Sequence, residues 1–188
     1  MSLPLVYDRH DAAGARQFLG ELTTVYVEVY GGEGFVSAEK FRERFKLHTA
    51  RSRFTLISAR TAAGRLVGYA YGFSRGPDPE LRAWQNLRPE VPPDLAAATR
   101  DHGVFVFCEL VVREPHRRRH VGATLAHLLL ERQTDPLAML LVRKDNEPAQ
   151  AAYRKWGWTK VGDLLPFPDA PDFDCLVRWL TPPPSGKP

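Results

Sequence analysis

A chain of 188 residues is long enough to bury a sizeable core within one domain. Its 44% hydrophobic and 26% charged residues exclude a disordered or fibrous protein, and no apolar run is long enough to span a membrane. Basic residues exceed acidic ones by only four, for a pI near 9.2; such a mild excess names no partner, but its concentration between Arg113 and His120 is informative. The start, Met1 to Gly14, lacks a basic stretch followed by an apolar one, so no secretory signal is expected. Cys108 and Cys175 both lie in apolar strand-like runs and are expected to be buried free thiols in a reducing cytoplasm.

In chain order, Leu3 to Arg9 is predicted to be a strand. Asp11 offers an N-cap to one helix running on to Tyr30, with Phe18, Leu22, Val25, Tyr26 and Val29 spaced at three and four. Gly31 to Gly34 breaks it. Ser37 caps a second helix, with Glu39 and Lys40 at the capping-box position and Phe41, Phe45 and His48 as its stripe. Arg53 to Arg60 and Arg65 to Ser74 flank a TAAG turn and predict a hairpin. Residues 75–102 hold five prolines, five acids and Trp84 without a clear period. They read as a long loop carrying a single helical turn, the kind of segment that is commonly functional or disordered.

Val104 to Val112 is an apolar run interrupted only by Glu109, which suits a strand covered on both faces. Val121 to Thr134 is a helix and Leu137 to Val142 the next strand; this succession predicts a right-handed crossover joining two parallel strands. Glu147 to Trp156 is a helix closed by Gly157. Trp158 to Leu165 and Asp172 to Leu180 form the last two strands, joined by the proline-rich Pro166 to Asp172. The tail, Thr181 to Pro188, is expected to be disordered. There are no internal repeats and no domain linker, so residues 3–180 are read as a single domain.

Two segments carry the chemistry. In the first, Arg113, Arg117, Arg118 and Arg119, with His116 and His120, sit where a strand turns into a helix. A helix N-terminus already carries partial positive charge, so cations there are unfavourable unless an anion joins them. A phosphate would use both the cations and the unpaired N–H groups. A solvated basic turn, or a nucleic-acid patch, is the alternative. In the second, Asn146 can cap a helix that tolerates Pro148 in its first turn, and Ala149 and Tyr153 share one face. By themselves these residues equally describe an ordinary cap and a packing tyrosine.

Together the two segments resemble the GCN5-related N-acetyltransferase (GNAT) superfamily. The first is similar to its turn of Arg or Gln, two residues, Gly, one residue, then Gly or Ala. Arg117 stands at the first position and Gly122 at the last, but His120 replaces the first glycine. Glycine admits a diphosphate without a Cβ in the way; a histidine can still offer its N–H from helical φ. The second segment matches N-x-x-A-x-x-x-Y-x-x-x-G-[FW] at Asn146, Ala149, Tyr153, Gly157 and Trp158. The resemblance covers roughly residues 3–180. It implies an α/β fold: a mixed, mostly antiparallel seven-stranded sheet with a splayed parallel pair in its middle, flanked by about four helices.

It also implies acetyl-CoA as cosubstrate and no metal. The pyrophosphate would lie on Arg117, Arg118, Arg119, His120, Val121, Gly122 and Ala123. The acyl and pantetheine portions would lie along Leu110, Val111 and Val112, with the acyl carbonyl near the Val112 N–H. Asn146 would bind the pantetheine arm, Ala149 admit it, and Tyr153 protonate the leaving thiolate. Glu109, the single charged residue of its strand, is the candidate base, since burial raises a carboxyl toward useful pKa values. A structural glutamate bound to Tyr69, Tyr71 or an arginine is the alternative. Cys108 has no neighbouring histidine in its strand and is expected to be inert packing.

The family topology would bring the acceptor to Tyr30–Val36, residues 75–102 and Pro166–Asp172. Among their acids and aromatics are Tyr30, Glu33, Phe35, Asp78, Glu80, Trp84, Glu90, Asp94, Asp101, Phe167 and Asp169, which would suit a cationic amine. The expected activity is acetyl transfer to a primary amine by direct attack in a ternary complex. A non-catalytic acyl-CoA-binding domain is the competing reading. Nucleic-acid binding is disfavoured, because no aromatics interleave the arginines and no helix has a basic face. No membrane partner is expected, and a homodimer is compatible with the reading.

Overall fold

A computed structural model describes residues 4–31, 37–165 and 173–182. Its strands form one mixed, mostly antiparallel sheet of eight, in the order β1-β2-β3-β5-β6-β8-β7-β4. These are β1 (Val6–His10), β2 (Thr55–Arg60), β3 (Leu66–Ser74), β4 (Leu87–Arg88), β5 (Phe105–Val112), β6 (Leu137–Arg143), β7 (Thr159–Leu164) and β8 (Phe173–Trp179). The predicted parallel pair is β5 and β6, whose ladder joins Phe105 to Ala138 and Val106 to Met139. Six α-helices occur among the described residues: α1 (Ala12–Gln17), α2 (Leu19–Tyr30), α3 (Ala38–Thr49), α4 (Pro93–His102), α5 (Val121–Leu130) and α6 (Glu147–Lys155). None is long and apolar enough to cross a membrane. The chain divides into two compact units, residues 1–73 with 108–132 and residues 74–107 with 133–188.

In the first unit the expected caps form: Asp11 accepts from the Gly14 N–H at 2.8 Å, and Ser37 from the Lys40 N–H at 3.0 Å. The single N-terminal helix of the sequence reading is instead two, broken at Phe18 (φ −98°, ψ 6°). Its ring lies edge-on to His10, with centroids 5.1 Å apart, and 5.0 Å from the Arg60 guanidinium. Those contacts outweigh continued helical periodicity. The core is strongly aromatic. Tyr26 stacks on Phe41 at 4.4 Å, and Phe45 meets Tyr71 edge-on at 5.3 Å. Gly68 lets β3 approach β5 closely: a Cβ there would stand 2.5 Å from the Val111 carbonyl oxygen.

The second unit corrects the reading of residues 75–102. They contain a 3-10 turn (Arg82–Trp84), the extra strand β4 paired with β7, and the ten-residue helix α4. Pro92 and Pro93 occupy the start of α4, where their missing N–H groups cost nothing. The segment is fixed by polar bonds as well as burial. Asp78 accepts from the Ala83 N–H at 2.9 Å, and the buried Trp84 indole donates to Thr99 Oγ1 at 2.9 Å. Trp84, Leu87, Leu95 and Ala98 join Val104, Leu137, Met139, Leu164, Cys175 and Val177 in one core.

Strand β5 is not covered on both faces as expected. Phe105, Phe107 and Val111 are buried, whereas Val106, Cys108, Glu109, Leu110 and Val112 are only partly so. Both cysteines are free thiols, Cys175 buried and Cys108 half-buried. The expected breaks and loops at 32–36 and 166–172, and most of the proline-rich tail, lie outside the described residues.

Candidate active site

Each unit carries one group of the residues singled out by sequence. In the first unit, the end of β5 runs into the cationic turn. The Arg113 N–H donates to the Val67 carbonyl at 2.9 Å, and its guanidinium meets Glu28 at 3.0 Å. Arg117 Nε donates to the Val112 carbonyl at 3.0 Å, so this arginine also ties the turn to the strand end. Arg117, Arg118, Arg119 and His120 are all exposed.

His120 is the N-cap of α5, makes no side-chain capping bond, and has φ 61°; Arg118 has φ 59°. The helical φ expected for His120 is therefore wrong. It takes up the left-handed conformation for which glycine is suited, at a cost of about 1 kcal/mol for an L side chain. The first N–H groups of α5, at Val121, Gly122 and Ala123, have no partner within the helix by its geometry. Those donors, beside three exposed arginines, fit a diphosphate.

Upstream in β5, Leu110 is half-buried and its carbonyl accepts from Tyr30 Oη at 3.2 Å. Val111 is fully buried. Glu109 has only 13% of its side chain exposed and pairs with Arg44 Nη2 at 3.0 Å. Burial pushes its carboxyl up to about 7, while the charge and hydrogen bond of Arg44 act in the opposite direction. Arg44 was not singled out by sequence, although it lies three residues after Phe41 and four before His48 and so shares their helix face. His48, drawn down to about 4 by burial and by Arg44 and Arg51, is neutral at pH 7 and sits 3.3 Å from the Tyr71 hydroxyl.

The second unit carries Asn146, Ala149 and Tyr153. Asn146 caps α6 as predicted, its Oδ1 accepting from the Ala149 N–H at 3.2 Å. Gln150 secures the same corner, donating to the Arg143 carbonyl at 3.3 Å and to Asp174 at 2.9 Å. Tyr153, one turn beyond Ala149, is half-buried. Its ring is edge-on to Phe107 at 6.3 Å, Trp156 at 5.6 Å and Trp158 at 6.0 Å. Gly157 ends the helix at φ 83°, and the Trp158 N–H bonds back to the Tyr153 carbonyl at 3.1 Å.

The candidate acceptor residues divide. Asp78 and Trp84 are committed to the core of the second unit, and Glu80 pairs with Arg82. Tyr30 remains half-buried on the first unit. Glu33, Phe35, Phe167 and Asp169 lie outside the described residues.

The acetyltransferase (GNAT) family model matches residues 19–158. The chain belongs to this family. Nothing among the curated proteins matches it. Solved structures share the fold at low identity. A GNAT-family acetyltransferase from Staphylococcus aureus Mu50 gives a TM-score of 0.66 at 13% identity, covering 95% of this chain and 100% of that one. Arabidopsis thaliana NAA60 in complex with a bisubstrate analogue gives 0.65 at 14%, covering 94% and 98%. The paia N-acetyltransferase from Thermoplasma acidophilum in complex with coenzyme A gives 0.55 at 13%, covering 94% and 99%. Family and fold together support acetyl transfer as the general activity.

Proposed function

We propose that the protein is a cytoplasmic N-acetyltransferase whose single catalytic domain, residues 3–180, passes an acetyl group from acetyl-CoA to a primary amine by direct attack. The observation that carries this reading is Glu109, a lone acid inside an apolar strand, with burial pushing it up to about 7. Such a group can take a proton near neutral pH. Glu109 removes a proton from the acceptor ammonium. The amine nitrogen forms its bond to the acetyl carbon, and the carbon–sulfur bond breaks. Tyr153 gives its phenolic proton to the departing sulfur, and the second proton shed by the nitrogen restores the phenol through solvent.

Leu110 to Val112 align the acyl arm. The turn Arg117–Ala123 receives the pyrophosphate, and Asn146 with Ala149 receives the pantetheine. The amide of Asn146 retains its NH₂ for this purpose while Oδ1 caps the helix. In the competing reading, a non-catalytic acyl-CoA-binding domain, the Arg44–Glu109 ion pair is purely structural. Thiol release from acetyl-CoA against a library of primary amines decides between them. Turnover with at least one amine is expected; saturable acetyl-CoA binding with no turnover across the library would establish the binding domain instead.

A further inference from the structure

One side chain of the first unit that the scheme above leaves without a role touches its proposed base. Arg44 projects from α3, and its Nη2 donates to Glu109 Oε2 at 3.0 Å. The guanidinium carbon lies 5.5 Å from the Tyr26 ring centroid and 5.8 Å from that of Phe41. The guanidinium is thus held beside two rings while one of its donors reaches the carboxylate, an arrangement that the flat, delocalised group of an arginine supplies and the point charge of a lysine does not.

The other titratable groups around Glu109 are Cys108 on β5, Tyr69 and Tyr71 on β3, Tyr26 and Tyr30 on α2, and His48 on α3. Burial, then the charge of Glu109, pushes Tyr69 and Tyr71 well above the usual phenol range. The same two causes raise the Cys108 thiol, and burial keeps His48 neutral. Of these groups, Arg44 alone offers Glu109 a compensating charge near neutral pH. A carboxylate with so little exposure is stable in its charged form only with such a partner.

We propose that Arg44 is the positioning residue of Glu109: it fixes the direction of the carboxylate in β5 and keeps this enclosed acid available in its charged form. The consequence for rate rests on the acetyl-transfer reading, with Glu109 as base. The pairing itself does not.

The test uses the full chain with ¹³C-labelled glutamate, the Glu109 carboxyl signal being identified by its loss in Glu109→Gln. The wild-type midpoint is expected at about 7. Arg44→Met should raise that midpoint, and the acid limb of the rate–pH profile with it, by about one pH unit or more. Arg44→Lys should leave the midpoint close to wild type yet lower kcat, because charge is kept while the direction of the carboxylate is not. An unmoved midpoint in Arg44→Met overturns the proposal. Should that variant not fold, Arg44→Gln takes its place, and an unmoved Glu109 midpoint there overturns the proposal. A midpoint that moves while the acid limb stays put supports the pairing and removes Glu109 as the base. The two failures are therefore separable.

Discussion

At Glu109 the surroundings compete. Enclosure in β5 favours the neutral acid, and the guanidinium of Arg44 favours the carboxylate; enclosure prevails, leaving the group near 7. A base must be deprotonated, so the rate should fall as pH drops through that value. In Glu109→Gln this acid limb should vanish and turnover should fall by about 10²–10⁴-fold, while circular dichroism remains native, since Gln keeps the shape of the side chain. An unaltered rate–pH profile would return Glu109 to a purely structural role. Tyr153 acts later in the scheme. Tyr153→Phe keeps the ring and its edge-on contacts with Trp156 and Trp158. It should lower kcat by a comparable factor with little change in acetyl-CoA affinity, measured by calorimetry alongside steady-state kinetics. Equal kcat in mutant and wild type would show that the phenol is packing.

Among the elements, the helices that sequence located best are those with chemical punctuation. Asp11, Ser37 and Asn146 each cap a helix through the side-chain bond that their residue type makes. Where no local signal exists, the reading failed. The break between α1 and α2 depends on Phe18 meeting His10 and Arg60, residues distant in sequence or on another element. Helix α4 was hidden by prolines that occupy its start rather than interrupt it. Backbone approach is similarly invisible in one dimension. Gly68→Ala would place a Cβ 2.5 Å from a main-chain oxygen that cannot swing aside. Chemical denaturation should show a loss of about 1–3 kcal/mol, the usual cost of overpacking; a neutral result would mean that β3 relaxes away from β5.

For the whole molecule, ligand binding is the accessible measurement. Acetyl-CoA binding only the folded state should raise the melting temperature saturably, equivalent to about 2.7 kcal/mol at a hundredfold excess over Kd. Added salt should weaken that stabilisation, because Arg117, Arg118 and Arg119 are exposed to solvent. Absence of any shift at millimolar acetyl-CoA would count against the assigned cosubstrate.

Sequence alone determined the parts whose physics is local: the cap residues, the β2–β3 hairpin, the strand–helix–strand succession around Gly122, and the helix that sets Ala149 and Tyr153 on one face. It also marked Glu109, because one acid in an apolar strand stands out by composition. Only the tertiary structure decided which partner that acid has. Arg44 precedes it by 65 residues, and an arginine on an amphipathic helix reads as a solvated charge until the fold turns its face inward. The left-handed backbone at His120 was likewise decided by the fold, since a side chain that permits several conformations does not announce the one its neighbours impose.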